Sequence, residues 1–484
     1  MKQVFSYLSG SIFSGSVLSV ALLAGSQAAS AQNPGSAQNP FLGSVTAATA
    51  TDETLRLTLD DAIVRGLKNN LGLKESEASE RSLHGQKNEA LQMFLPAIQL
   101  SGGTGVYEHN LVANGFTPGT IKKFASLLGM GSITGFSPIT KDDLTQGNIY
   151  YSQMLFSGPV IAAFKAAGAA ENAAHFARTS ARGEVVQQVA TAYLHAIAAA
   201  SEVRNAEARV RQAELLADHA RAAHEAGVVA NLDDLRAQVQ LKAQQQTQTA
   251  AENAYEKSLI LLKREIGVAP GQKIELSDPA PYNELTQQTP VELLTVAYKN
   301  RQDYQKVQNE AVEAKSVTLA YKAQRLPSLS FNGYYGTATV NGAGTRGNFA
   351  AVGTVTMPLF REAGLRGDVA ASQAQQRAVE FELADLRGAI EYQVRSALLD
   401  VDATHKLVEV ARSNVELATR TVSDETERVN AGVDDNLPLV TAQATLATAE
   451  NNMVESLFQY NVAKLVLARS TGLLETTYRD YLGR

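Results

Sequence analysis

The chain has 484 residues, with 43 basic and 49 acidic side chains for a net charge of −6. That balance excludes the concentrated basic face that nucleic acid requires. Cysteine and tryptophan are both absent, so no disulfide framework, zinc finger, thiol chemistry or N-terminal lipid anchor on cysteine is available.

The N-terminus reads as a secretory signal, residues 1–31. Lys2 supplies a positive start, an apolar stretch is densest from Val17 to Ala24, and Ala29-Ser30-Ala31 offers small residues for cleavage before Gln32, with a cut after Ala28 as the alternative. No later segment offers about 20 consecutive apolar residues, so a spanning helix is not expected, whereas a β-barrel remains open to an exported chain. Residues 32–54, rich in Gln, Asn, Ala, Ser and Thr, read as a flexible leader.

A first structural repeat is expected over 55–270. It opens at Thr58-Leu59-Asp60-Asp61, where a hydroxyl and a carboxylate three residues apart suit a helix start. Alternation with period two then marks Ala97 to Tyr107 and Asn148 to Phe156 as strands, joined by a long polar, glycine-rich loop from about Tyr107 to Gly147. From Pro159 to His224 no proline interrupts the chain, which predicts a helix of roughly 66 residues and about 100 Å. Val189, Ala196, Val203, Val210 and Ala217 recur every seven residues, and Ala192, Ala199, Ala206, Ala213 and Ala220 form a second series three places on. This is a coiled-coil seam of small side chains, which lets helix axes approach closely. Ala226-Gly227-Val228 then reads as a tight turn into a return helix.

After a linker at 271–288, the plan returns as a second repeat at 289–475, with 476–484 left as a tail. Thr289-Pro290-Val291 is its helix start. Lys299-Asn300 and Leu326-Pro327 lie 231 residues beyond Lys68-Asn69 and Leu95-Pro96, while Gly432 and Gly472 lie 205 beyond Gly227 and Gly267. The first repeat therefore carries about 26 additional residues between those points, as a surface loop tolerates. Leu329 to Tyr335 and Phe349 to Met357 alternate as strands around the turn Asn341-Gly342-Ala343-Gly344. Val394, Val401, Val408, Val415 and Val422, with Ala397, Thr404, Ala411 and Ala418, repeat the seam. Four strands cannot close a barrel, so a membrane role would need several chains.

Strands, a very long helix, a glycine turn and a shorter return helix, all duplicated, resemble the TolC family of outer-membrane efflux channels. The likeness covers about residues 55 to 475. It is carried by Leu95-Pro96 and Leu326-Pro327 at the strand entries, and by Leu155-Phe156-Ser157-Gly158 and Met357-Pro358-Leu359-Phe360 at the strand-to-helix joints. Gly227, Asn231-Leu232-Asp233, Gly432 and Asn436-Leu437 carry it at the helix tips. The resemblance implies a mainly α fold with a β-barrel part. In it a homotrimer closes a 12-stranded outer-membrane barrel from four strands per chain, and long helical hairpins continue as a periplasmic tunnel. It implies a passive channel of a tripartite efflux or type I secretion system, without a cofactor, partnered by a periplasmic adaptor and a proton-driven or ATP-driven inner-membrane pump. It also assigns Gly227, Val228, Asn231, Leu232, Gly432, Val433, Asn436 and Leu437 to adaptor docking. The same glycines equally suit helix C-caps, and the asparagines suit caps of the return helices. Asp233 stands where the family places a gate carboxylate, and the corresponding second-repeat position is Pro438. Asp434 and Asp435 are the nearby replacements, or else solvated turn residues. The alternative reading is a periplasmic coiled-coil adaptor, which predicts one hairpin flanked by β-rich halves.

No catalytic constellation stands out. The seven histidines are scattered, His219 and His224 are five apart and so off one helix face, and neither a phosphate-binding loop nor a GxSxG elbow is present.

Overall fold

A computed structural model of the chain describes residues 40–45, 49–113, 115, 117–129, 139–227, 230–279, 281–285, 289–431 and 436–482. The expected signal segment lies outside them. The chain divides into two compact units that cut across the sequence repeats. One comprises Met1–Ser82, Glu171–Ala311 and Val379–Arg484, and the other Leu83–Ala170 and Val312–Ala378.

In chain order the elements are β1 (Leu55–Leu57), α1 (Leu59–Asn69), α2 (Leu71–Gln92), β2 (Ala97–Asn110), α3 (Pro118–Leu127), β3 (Ile139–Phe156), α4 (Gly158–Glu225), α5 (Asn231–Ile266) and β4 (Ile274–Leu276). There follow α6 (Pro290–Asn300), α7 (Gln302–Ala323), β5 (Ser328–Val340), β6 (Arg346–Thr356), α8 (Glu362–Asn430), α9 (Asn436–Ser470) and α10 (Leu474–Leu482).

The first unit is helical. Thr58 caps α1 by accepting from the Asp61 amide, and Leu59, Ala62 and Ile63 bury its inner face. The helix then breaks at Asn70, whose extended backbone donates to the Gly66 carbonyl while its side chain accepts from the Leu73 amide at 3.1 Å and starts α2. The second repeat does the same with different residues. A full capping box between Thr289 and Glu292 opens α6. Extended Arg301 ends it, its buried guanidinium gripping Asp303 (Nε–Oδ1 3.0 Å), Gln393 and the Ser470 carbonyl. These breaks are absent from the sequence reading, which gave each repeat one opening helix.

The seven-residue series does what its pattern predicts. Val189, Ala192, Ala196, Ala206, Val210, Ala213, Ala217 and Ala220 are buried along α4, as are Val394, Ala397, Val401, Val408, Ala411 and Ala418 along α8. The helices run unbroken for 68 and 69 residues. In this unit one core gathers Leu57, Val185, Tyr193, Leu262, Ile266, Ile390 and Leu465 with the short parallel pair β1–β4. Left-handed glycines end both return helices, Gly267 (φ +73°) and Gly472 (φ +76°), each pressed onto the helix break of one repeat: Gly267 onto Asn69, Gly472 onto Asn300 and Arg301.

Three segments read as linkers or tails are held to this core. Phe41 lies over Gly72, and the Ser44 hydroxyl donates to the Arg264 carbonyl, so part of the leader is docked. Residues 281–285 strap the second hairpin. Asn461 donates to the Pro281 carbonyl at 2.8 Å, Tyr460 and buried Lys464 both donate to the Asn283 carbonyl, and Arg412 stacks on Tyr282. From 474 the tail is the helix α10, which buries Leu474, Tyr478, Tyr481 and Leu482, with Tyr478 donating to Asp60 at 2.7 Å.

The second unit is built around a four-stranded antiparallel sheet in the order β2-β3-β5-β6. The strands run 14, 18, 13 and 11 residues, longer than the roughly 10 residues expected of a tilted membrane strand. The difference lies mainly in the loop from Tyr107 to Gly147: β2 extends to Asn110, β3 begins at Ile139, and α3 occupies part of the remainder.

Candidate functional site

Two features can carry function: the hairpin tips in the first unit and the sheet in the second. At the first tip α4 ends at Glu225 and the chain turns at Gly227 with φ +73°, a backbone that glycine adopts without strain. The return helix begins at Asn231, yet its N-cap is Ala230, with no side-chain cap bond. Asn231 is therefore not the cap of this helix, and the capping alternative for it is corrected. The cap position falls one residue earlier than the sequence pattern suggested, because the extended backbone lasts only to Ala230.

Beyond the turn, Leu232 and Leu235 are half-exposed and Val239 more so, at i, i+3 and i+7 on one face of α5. With Leu216 of α4 and Val440 of α9 they line an open groove of about 410 Å³ between the two hairpins. Asp233, Arg236 and Gln240 form its polar rim, with Arg236 Nη1 lying 3.4 Å from Asp233 Oδ1. The next acid, Asp234, is buried and accepts twice from Gln238, at 2.9 and 3.0 Å, so it belongs to the helix packing. Beneath the groove, Ala217, Ala220 and Ala237 close the hairpin.

Of the residues expected at the tips, Gly227, Asn231, Leu232 and Asp233 are thus brought to one place. Val228, Gly432, Val433, Asp434 and Asp435 lie outside the described residues. Asn436 and Leu437 are the first two residues of α9, and their side chains lie outside what is described. Leu216, Leu235, Val239 and Val440 were missed by the sequence reading. The i, i+3, i+7 spacing of Leu232, Leu235 and Val239 was the available signal; Leu235 and Val440 are matched positions of the duplicated tip, 205 residues apart, but the docking set was confined to the turn and the first two residues of each return helix.

The sheet separates two chemistries by its pleat. Registers of the three strand pairs place Ile98, Leu100, Val106, Ile149, Leu329, Phe331, Tyr335, Phe349 and Val355 on one face. Gln99, Ser101, Asn148, Ser152, Ser330, Asn332 and Asn348 share the other. Away from the loop end, where the first face also carries Glu108, Lys141 and Asp143, one side suits hydrocarbon and the other water, with the Tyr150 and Tyr334 rings tilted against each other at 5.6 Å on the polar side. No described helix is long and apolar enough to cross a membrane. No group of three or more His, Cys, Asp or Glu among the described residues is placed to hold a metal.

Two buried titratable groups lie away from both features. Burial pushes the Glu265 carboxyl up to about 8, against a smaller pull from Arg264, and its Oε2 has no hydrogen-bond partner among the described residues. Burial lowers the Lys464 ammonium to about 8.

Comparison with known proteins adds three findings. The family model described as "Outer membrane efflux protein" matches residues 62–268 and 293–473. Solved structures of the same fold include a membrane protein from Pseudomonas aeruginosa, with TM-score 0.71, 17% identity, and coverage of 86% of this chain and 93% of that one. The Campylobacter jejuni CmeC outer membrane channel gives TM-score 0.70 and 14% identity, covering 90% and 92%. The outer membrane protein VceC from Vibrio cholerae gives TM-score 0.69 and 16% identity, covering 86% and 96%. No curated protein matches in sequence.

Proposed function

This chain belongs to the outer membrane efflux protein family, and from that premise we propose that it is the exit duct of a tripartite export assembly. Its place is the outer membrane, and its family consists of transport channels, not enzymes. The observation that carries the reading is the sheet: four antiparallel strands, apolar on one face and polar on the other, with two free edges. Such a sheet cannot stand alone in lipid, because an open edge leaves backbone amides and carbonyls unpaired in hydrocarbon. Three copies supply 12 strands, a number that closes with a water-filled interior. The long helices then continue the duct on the periplasmic side, and cargo passes without chemistry.

The tips are the docking end. The groove lined by Leu216, Leu232, Leu235, Val239 and Val440 fits the apolar stripe of a helix, and its Asp233–Arg236 rim sets orientation. Gly227, Val228, Asn231, Leu232 and their counterparts Gly432, Val433, Asn436 and Leu437 form the adaptor-docking set in this proposal. Asp233, Asp434 and Asp435 are the gate candidates, since like charges repeated around a narrow lumen repel one another and attract cations. The partners are a periplasmic adaptor and an inner-membrane pump, with small molecules or polypeptides as cargo.

The test is Leu235→Asp in cells. The variant should reach the outer membrane and form the wild-type oligomer while export falls by at least tenfold. Full export would remove the groove from docking. A protein that fractionates as soluble or with the inner membrane would instead favour the adaptor alternative.

A further inference from the structure

The duplication isolates one segment without a counterpart. Between β5 and β6 the chain turns over five residues, 341–345, whereas between β2 and β3 it runs for 28, 111–138. Part of that excess folds as α3, which Thr117 caps by accepting from the Thr120 amide at 3.2 Å. A connection that only had to join two adjacent strands needs no helix. Around α3 the side chains sort by angle. Ile121 and Ala125, four apart, turn toward the protein, and Ala125 is buried. Phe124, Leu127 and Leu128 occupy the next arc and face outward, 65%, 81% and 58% exposed. Lys122, Lys123 and Ser126 complete the circle on the side opposite that arc, all three exposed. The two lysines are the only charged residues across 111–138, so the segment carries +2 in a chain of −6.

We propose that α3 is an interfacial anchor lying along the outer surface of the membrane, with Phe124, Leu127 and Leu128 at the hydrocarbon boundary and Lys122 and Lys123 on the phosphates of lipid headgroups. A helix with bulky apolar residues on one arc and lysines beside it binds in that plane, the apolar arc down and the ammonium groups reaching to the headgroups. Phosphate supplies the negative charge that the loop, without a single carboxylate, does not. The inference rests on the membrane barrel of the proposed function and adds a lipid contact that the strands do not make.

The sheet shows where that plane falls. Helices α2 and α4 join β2 and β3 at one end, at Ala97 and Phe156, and the loop that holds α3 leaves from the other. The outward face of β2 is uncharged from Ile98 to Val106 and then carries Glu108, whose carboxylate lies 3.5 Å from Lys141 of β3, with Asp143 on the same face. Charge on the lipid-facing side marks the edge of the hydrocarbon. β2 ends two residues later, at Asn110, about 7 Å along the strand. The loop is therefore tethered at headgroup level. The other resting place within reach is the mouth of the duct. There the inner face of the same strands presents His109 and Asp142, 3.9 Å apart, and Asn341 donates to Asp142 at 2.9 Å. A water-filled mouth lined with such groups offers nothing apolar to Phe124 and Leu127, whereas lipid does.

Because the chain has no cysteine, one introduced thiol carries the only label. The full-length protein is labelled with an environment-sensitive fluorophore at Leu127→Cys or, on the polar arc, at Ser126→Cys. It is then inserted into vesicles of phosphatidylcholine with or without phosphatidylglycerol. Lipid bearing a nitroxide near its headgroup should quench the Leu127→Cys label by about twofold and leave the Ser126→Cys label open to aqueous iodide. Phosphatidylglycerol should strengthen the lipid quenching, and the double variant Lys122→Gln, Lys123→Gln should lose that gain. Equal lipid quenching at the two positions, or quenching of Leu127→Cys by iodide alone, overturns the anchor. Protection of Leu127→Cys from both quenchers means that the arc is covered by protein, in the mouth or against another copy, and overturns it as well. A gain from phosphatidylglycerol that survives the double variant overturns the lysine–phosphate contact. Any of these results from protein that has entered the vesicles as an oligomer leaves the channel standing. Protein that does not enter vesicles overturns the channel reading and the anchor together.

Discussion

At the scale of single residues, the tightest constraints are the glycines that end the return helices. Gly472 has φ +76°, and a Cβ there would come within 2.7 Å of the Arg301 amide nitrogen. Both the backbone and the neighbour oppose any side chain, so Gly472→Ala should destabilise the folded chain by about 2–3 kcal/mol, read as a lower unfolding midpoint. The opposite change is available at Ala230, an N-cap without a side-chain acceptor. Ala230→Asp should add about 1 kcal/mol. Buried charge sets the pH response. The Glu265 carboxyl, raised by burial from 4.5 to about 8, holds a proton in the folded chain that the unfolded chain releases. Its stabilising share is complete below pH 4.5 and is lost as pH rises to about 8. Lys464, lowered by burial from 10.5 to about 8, is charged in both states across that window and adds no slope there. Above it, the folded chain releases the Lys464 proton first, so stability from that site recovers as pH approaches 10.5. Unfolding midpoints measured across pH should fall toward about 8 in the wild type and stay flatter in Glu265→Gln. A Glu265→Gln curve parallel to the wild type would contradict this assignment.

At the scale of elements, packing of small side chains decides. Ala206 and Ala213 are buried in the α4 seam, and a larger side chain there must push two helices apart. Ala213→Leu should cost about 1–3 kcal/mol, whereas the same change at exposed Glu214 should stay within about 0.5 kcal/mol; equal effects would show that the seam is not tight. These long helices were readable because a seven-residue pattern without proline leaves few alternatives, and the strands because alternation survives in Phe349 to Val355. Other elements were not readable. Asn70 and Arg301 break helices through contacts with distant residues, Arg301 with Gln393 and Ser470, and a local pattern carries no trace of those partners. The α10 helix does carry a helical spacing, with Leu474, Tyr478, Tyr481 and Leu482 buried at i, i+4, i+7 and i+8, but at nine residues that signal is confined to about two turns, and burial against the core is what holds it. At the tip, Gly227 and Leu232 announced the turn, but the groove needs Leu216 and Val440, which come from helices more than 200 positions apart in sequence.

At the scale of the whole molecule, the sheet is the feature that a single chain leaves unfinished. Its apolar face, carrying Leu100, Ile149, Tyr335 and Phe349, is exposed, and its edges offer unpaired backbone groups. Both deficits vanish together when copies close a ring in lipid, and neither is met by a water-soluble monomer. The adaptor alternative, with its one hairpin and no paired membrane strands, leaves this sheet unexplained and so accounts for less of the chain. The most direct measurement is single-channel conductance of the purified mature protein in a planar lipid bilayer. A barrel with a polar interior predicts small, discrete current steps that differ between cations and anions. Absence of any step, from protein verified to be folded and membrane-inserted, would contradict the channel.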